Sequence, residues 1–399
     1  MALLSSESTC PEKRLLVCCA RTRIEPAIAE EIRRLAADPL DWDYLLAEAA
    51  EHSVTPLLAR QLPASAADVI EPARLQRLKD LSRANAVRSL LLTAELIAIL
   101  NLFRSEGIQA IPYKGPVLAA QAYGDLTLRE FEDLDIVLRQ RDMPKANEIM
   151  IAFGYRAKFP WILSPDAAAS LVPVEYNYRD EPRRMMVELH TERTSRHFPA
   201  PPDLDDLATR LVAVSLSGHE VHTFAPEDGL VLLCIHGSKD FWERISWIAD
   251  IAEFVQAYPQ LDWDQCLRLA DSLHARRMLR VGLALAIRLF DVPLPGEILS
   301  RVREDLVAGS VASQVERRLL ARNWPPLGAA GRFRFRRRML EGAFAGWRYA
   351  LRLAVVPSED DWSMIRLPRS LAPLYVVLRP LRLLRKYGVS GGGARRGSA

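Results

Sequence analysis

The spacing of apolar residues changes period at Gly107, and that change limits what this chain can become. Over residues 25–105, PLDWDYLLAEAAEHSVTPLLARQL and ARLQRLKDLSRANAVRSLLLTAELIAILNLF place apolar side chains three and four apart, as an amphipathic helix does. SEGIQAIPYKG then breaks the pattern: Ile108, Ala110 and Ile111 read as a short strand, and Lys114-Gly115-Pro116 as a turn into another helix. That helix, 117–123, is short and ends near Gly124. In LREFEDLDIVLRQRD, Leu134, Ile136 and Leu138 alternate with Asp133, Asp135 and Val137 at strand period. A helix over 143–153 follows, closed by Gly154. EYNYRDEPRRMMVELHT offers two strand-like runs around a turn at Asp180-Glu181-Pro182, a β-hairpin. Helical spacing returns from Pro226 to about Tyr258 and continues to about Phe290.

The chain therefore divides into an N-terminal helical region (1–105), an α/β core (106–225), a helical domain (226–330) and a basic C-terminal segment (331–399) whose Gly/Ser end reads as flexible. At 399 residues it has ample length for several cores. Five cysteines without CxxC pairs or a disulfide-framework spacing point to a reduced, cytoplasmic compartment. The N-terminus lacks the order of a secretion signal. The longest apolar stretch, 90–103, carries Glu95 and Asn101, so no transmembrane segment is expected. Charge is uneven: residues 301–399 carry 20 Lys/Arg against 7 Asp/Glu, leaving the first 300 residues acidic by ten. A basic end on an acidic body suggests an anionic partner (nucleic acid, a membrane surface, or the body itself), or simply a solvated terminus.

Residues two apart on a strand share a face, so Asp133 and Asp135 project together. Paired carboxylates repel unless a cation lies between them, and oxygen ligands this close suit Mg²⁺ or Mn²⁺ with substrate phosphates. Two such ions clamp the oxygens of an in-line phosphoryl displacement. An isolated Asp-x-Asp is weak, since most are solvated strand ends. Lys114-Gly115 strengthens it, because bare backbone at a strand-to-helix turn approaches phosphate and the ammonium adds a point charge. Arg129, four residues before Asp133, is placed for a second phosphate contact or for an ion pair with Glu132.

The stretch KGPVLAAQAYGDLTLREFEDLDIVLRQRDMPKANEIMIAFGY resembles an uncharacterised nucleotidyltransferase family within the DNA polymerase β-like superfamily. Lys114, Gly115, Tyr123, Arg129, Asp133, Asp135, Gly154 and Tyr155 fit its order of residues. MMVELH, IHGSKDFWERISWIADIAEF, PSEDDW and LRPLRLLRKYG are similar to later family segments. The resemblance implies an α+β fold, helix-rich around a small mixed-sheet polymerase β-like core, with a helical C-terminal half. It implies that Asp133 and Asp135 hold metal and that Glu188, on a neighbouring strand, is the third carboxylate. Glu in place of the family's Asp moves that ligand outward by about one bond. Pro116, where the wider superfamily tends to have Gly or Ser, cannot donate an N–H to phosphate.

The activity expected is metal-dependent transfer of a nucleoside monophosphate from an NTP, with ATP the default donor, to an unknown acceptor, releasing pyrophosphate. A peptide, protein, sugar, small molecule or RNA end all remain open as acceptor. The alternative is a non-catalytic nucleotide-binding or assembly protein with a degenerate site. His190 reads as a ligand, a base or, preferably, a hydrogen-bonded structural residue. His236, Lys239, Trp242 and Arg244 are spaced to meet a nucleotide base or acceptor, with Trp242 stacking; packing of Trp242 and Trp247 in the core is the preferred reading. RFRFRRR, with Phe333 and Phe335, has the residue types that bind single-stranded nucleic acid, while LAPLYVVLRPLRLLRK suits an exposed helix or a membrane surface. A nucleic-acid- or membrane-binding module over 332–386 is thus a third reading.

Overall fold

In the computed structural model, helices surround a small sheet, and the sheet begins where the apolar period changes. The structure describes residues 10–160, 175–191 and 203–388, except 324, 343–344, 356–360, 362–363, 366, 368–370 and 372–373. The flexible end expected after Gly388 lies outside the described residues.

Five helices precede the sheet: α1 (Pro11–Cys19), α2 (Pro26–Ala37), α3 (Trp42–Glu51), α4 (Thr55–Ala66) and α5 (Pro72–Ser105). Pro sits in the first turn of α1, α2, α4 and α5, where its missing N–H has no helical partner to lose. The Asp41 carboxylate caps α3 by accepting from the Tyr44 N–H. At 34 residues, α5 is by length and composition alone able to cross a bilayer, so Glu95 and Asn101 do not by themselves exclude a span here as the sequence reading had it. Of its most apolar 18-residue window 44% is buried: Leu92, Leu96, Ile99 and Phe103 pack inward, and Glu95 accepts from Tyr155 and Arg183.

The five-stranded sheet contains β1 (Ile111–Pro112), β2 (Asp133–Val137), β3 (Arg156–Ala157), β4 (Glu175–Asp180) and β5 (Met185–His190), in the order β1-β2-β5-β4-β3. Among the described strands of this sheet only the β2–β5 pair is parallel, so the sheet is mixed and the fold is α+β. The hairpin expected around Asp180-Glu181-Pro182 is β4–β5. Between β1 and β2 lie α6 (Gly115–Leu118) and one turn of π-helix, Ala119–Tyr123, ended by left-handed Gly124. After β2 come α7 (Met143–Ala152) and Gly154 at φ 103°, a backbone setting that favours glycine. A second hairpin, β6 (Val212–Leu216) and β7 (His219–Thr223), follows the short α8 (Leu204–Ala208); Thr223 Oγ1 donates to Pro112 O at 2.7 Å.

Five helices continue the chain: α9 (Pro226–Lys239), α10 (Ile245–Ala257), α11 (Trp263–Ser272), α12 (Arg276–Phe290) and α13 (Gly296–Glu304). They lead to α14 (Leu306–Leu320), α15 (Ala329–Met339), α16 (Ala345–Val355) and α17 (Tyr375–Gly388). One core unites the first four helices with α9–α14 through residues such as Leu15, Leu58, Leu230, Ile248, Leu285 and Val311. A second core lies under the sheet, where Leu134, Ile136, Val187 and Leu189 meet Phe103 and Tyr155. The sheet's other face, with the acidic residues, opens between the two cores.

A carboxylate-rich candidate active site

Strand period determines which side chains reach this opening. Leu134 and Ile136 are fully buried beneath β2, so Asp133 and Asp135 emerge above it. On β5, Met185, Val187 and Leu189 face the core and leave Glu188 and His190 on the acidic side. Parallel pairing sets Asp135 beside Glu188 and Val137 beside His190. These groups line a cavity of about 460 Å³ together with Lys114, Gly115 and Arg129, so the six residues expected to hold metal or nucleotide (Lys114, Gly115, Arg129, Asp133, Asp135 and Glu188) converge on it.

Asp135 is the hub. Its Oδ1 lies 2.8 Å from His190 Nε2 and 3.2 Å from Lys114 Nζ. Burial opposes its charge, but the Lys114 ammonium and the imidazole outweigh that cost and hold its carboxyl well below the usual range. Burial also opposes the charge on Lys114, yet Asp135, Tyr113 and Asp133 keep it firmly protonated. Asp133 behaves oppositely: burial, then the neighbouring Asp135 charge, raises its pKa. Glu188 is pushed up to about 7, first by burial and then by Glu175. Its Oε2 stands 3.6 Å from His190 Nε2. Glu175, across the β4–β5 pair, is steadied by Lys239 at 3.4 Å.

Lys114 itself adopts φ 62°, ψ −155°, followed by Gly115 at φ 45°. A side chain in that region stores roughly 1–3 kcal/mol of strain, sustained only when the surroundings fix it. Here the fixing groups are Asp135 and the Tyr113 ring, whose centroid is 4.8 Å from the ammonium. Tyr113 also meets His190 edge-on at 5.7 Å.

The structure redraws two details of the sequence reading, the partner of Arg129 and the place of Trp247, and bears out the placing of Trp242. Arg129 pairs with Asp250 of α10 rather than with Glu132: Nε and Nη2 donate to Oδ1 and Oδ2 at 2.8 and 2.9 Å, and Tyr123 Oη donates to the same Oδ1 at 2.7 Å. A guanidinium gripped this way reaches the cavity as a wall, with its fork occupied by protein. Trp242 is 1% exposed and lies outside the cavity lining, so the core-packing reading holds for it. Its ring lies so close over Gly237 that a Cβ there would stand 2.4 Å away. The indole that does line the cavity is Trp247, edge-on to His236 at 5.2 Å, with Arg244 above it at 5.9 Å. His236 itself is held neutral, by burial first and then by Lys114. Glu175 and Asp240 also line the cavity and Asp250 supports it through Arg129; none of the three was singled out in the sequence, although Asp240 and Asp250 lie in the family-like segment 235–254.

The donor set fits a divalent cation. One ligand atom each from Asp135, Glu188 and His190 lies within 4.8 Å of the others, and Asp133 adds a carboxylate on the same face. Two carboxyls with raised pKa beside an ionised third are groups whose shared charge a cation would relieve.

An α+β core with an Asp-x-Asp strand, a neighbouring acidic strand and a strained Lys-Gly turn is the arrangement the family resemblance implied. The chain belongs to the uncharacterised nucleotidyltransferase family, whose profile matches residues 38–291. No curated protein matches it. Among solved structures it is similar to the antibiotic-resistance factor ANT(2'')-Ia, at 12% identity and a TM-score of 0.32 over 47% of this chain and 92% of that one. It is also similar to an antigenic nucleotidyltransferase-like protein from Paracoccidioides brasiliensis, at 14% identity and a TM-score of 0.31 over 55% of this chain and 92% of that one. The family assignment rests on the profile; superpositions this loose add nothing about the site.

Proposed function

We propose that the protein transfers a nucleoside monophosphate from an NTP, with ATP the default donor, to an acceptor nucleophile, releasing pyrophosphate. The observation that carries this reading is the convergence of Asp133, Asp135, Glu188 and His190 with Lys114 on one cavity in a nucleotidyltransferase family member. Mg²⁺ or Mn²⁺ held by Asp133, Asp135 and Glu188 would neutralise phosphate oxygens and polarise the α-phosphorus. Lys114 already balances Asp135, and its flexible stem lets the same ammonium turn to a phosphate oxygen. Gly115 presents backbone without a side chain at the turn. Arg129, fixed by Asp250, contributes positive potential and wall shape. The acceptor's oxygen forms a bond to the α-phosphorus, the α–β bridging bond breaks, and pyrophosphate departs with that electron pair. Where Glu188 is not itself a metal ligand, its carboxyl, raised in the metal-free site by burial and Glu175 to about 7, would instead serve as the base for the acceptor's proton near neutral pH. Positioning and charge stabilisation supply most of the acceleration.

One observation favours a second reading, a nucleotide-binding protein without turnover. Asp135 Oδ1 already has two partners, Lys114 and His190, so its charge is balanced within the protein. α-Labelled ATP with Mg²⁺ or Mn²⁺ and host extract tests the two readings. A labelled acceptor with pyrophosphate release, abolished by Asp135→Asn, supports the enzyme. Saturable ATP binding with no labelled species and no pyrophosphate supports the second reading. Five free, buried thiols accord with the cytoplasmic setting we propose.

A further inference from the structure

The C-terminal helices carry a feature that the site does not use. The aromatic rings of RFRFRRR are committed within the protein: Phe335 is buried edge-on to Phe241 at 5.3 Å, and Phe333 stacks on Tyr349 at 5.7 Å. Beyond them, α16 and α17 pack on each other, and Arg379 Nε donates to Leu353 O at 2.7 Å. The inward side of this pair is polar as well as apolar. Tyr375 and Arg379, one turn apart, are buried, and Asp361 receives both Arg379 and Arg382. The outward side is the reverse of a water-facing surface. Trp347 and Leu351, one turn apart on α16, are 79% and 66% exposed. Val377 and Leu381, one turn apart on α17, are 59% and 58% exposed, and Leu374 extends their row. Met364, Ile365 and Leu371 are exposed in the connection between the helices.

Residues 345–388 also carry eight Lys/Arg against three Asp/Glu, and one of those three is the buried Asp361. We propose that the α16–α17 face docks on an anionic lipid bilayer, inserting Trp347, Leu351, Val377 and Leu381 at the level of the headgroups. Apolar residues at helical spacing within a basic segment are the requirement for a helix lying in a membrane interface, and an amphipathic indole is suited to that depth. Charge decides against a second copy, and the side chains of the face against nucleic acid. A second copy would bring two segments of the same sign together, and the residues 301–399 carry a net excess of 13 positive charges. Single-stranded nucleic acid stacks on successive open aromatic faces, but Phe333 and Phe335 have spent theirs on Tyr349 and Phe241, and Trp347 is the one aromatic among the exposed, otherwise aliphatic and Met, apolar side chains described on this face.

The test is co-sedimentation of the full chain with phosphatidylcholine vesicles and with mixed phosphatidylcholine–phosphatidylserine vesicles, and it does not depend on any enzymatic activity. The protein is expected to bind the mixed vesicles about tenfold or more tightly, and less tightly as salt rises. Val377→Asp combined with Leu381→Asp should reduce that binding about tenfold or more, and Trp347→Ser on the other helix should weaken it independently. All three positions are exposed, so an unchanged melting temperature verifies folding. Failure to sediment with either vesicle overturns the proposal, as does wild-type binding by the folded double variant. A wild-type dimer that the same double variant splits into monomers also overturns it, because a second copy then covers the face.

Discussion

Replacing Glu188 by Gln should make the metal-free protein more stable at pH 8 while removing its metal binding. In the folded chain burial, then Glu175, lifts this carboxyl from 4.5 to about 7. Between those values the folded state keeps a proton that the unfolded state has released. The unfolded chain thus binds fewer protons, and stability falls as pH rises from about 4.5 through about 7. A lift of that size corresponds to about 3 kcal/mol, all of it lost by pH 8. The Glu188 side chain is only 20% exposed, so solvent screening trims little from this. Gln is nearly isosteric and cannot ionise, so it escapes that loss. Urea denaturation in EDTA at pH 5 and pH 8 measures it, with the stability difference between variant and wild type as the readout. Shifts of Asp133, Asp135 and Glu175 affect both proteins and largely cancel. The advantage of Gln should grow by roughly 2–3 kcal/mol between the two pH values. Mn²⁺ should then stabilise the wild type and leave the variant unmoved, because a ligand that binds only the folded state raises its stability. A pH-independent difference between the two proteins, or equal stabilisation of both by Mn²⁺, would refute the account of Glu188 as a strained, charge-hungry ligand.

Other consequences concern the supports of the site. Asp250→Ala leaves buried Arg129 without its bidentate partner and Tyr123 without its acceptor, and should cost roughly 3–5 kcal/mol in urea denaturation; a loss below about 1 kcal/mol would show that the pair is not structural. Gly237→Ala drives a methyl into the Trp242 ring and should destabilise by roughly 1–3 kcal/mol, read as a lowered melting temperature. Unchanged melting would mean the α9–α10 turn can open at no cost. Burial pushes the Cys18 thiol up to about 11, Cys266 up to about 12 and Cys234 well above the usual thiol range, so the native protein should leave Ellman's reagent unreacted at pH 8 until denaturant is added.

The acidic centre was legible because it sits on a strand, where alternation alone dictates facing. Asp133 and Asp135 opposite Leu134 and Ile136, and Glu188 and His190 opposite Val187 and Leu189, follow from period two once the strands are recognised. The left-handed turn at Lys114-Gly115 was signalled by its glycine, and the Gly154 helix end likewise. Hairpin β6–β7 passed unmarked although its cues are present: VAVSL and HEVHT alternate, and Ser217-Gly218 supplies two positive φ values for a tight turn. Helix α1 fell inside the expected helical region 1–105 but was not marked individually, for a different reason. PEKRLLVCC is too short to display period, and it is helical because Leu15, Leu16 and Cys19 fill a core whose other walls come from distant helices.

What spacing could not reveal is which residues from remote segments complete the site, and Arg129 shows why. On the local chain Glu130 is adjacent and Glu132 only three residues away, yet its carboxylate partner is Asp250, 121 residues on. That choice is made by the packing of α10 against the π-helical turn, which carries Tyr123 to the same carboxylate. A buried guanidinium must find two acceptor oxygens in a fixed fork, and only a carboxylate delivered by a rigid neighbouring helix supplies them. The same docking brings Trp247, three residues before Asp250, to the cavity rim, while Trp242, at a left-handed turn under Gly237, goes into the core. The fate of the two tryptophans thus depends on how α10 is seated by the Arg129–Asp250 pair. A substitution that loosens this pair should therefore disturb the Trp247 wall of the cavity before it reaches Asp133 or Asp135.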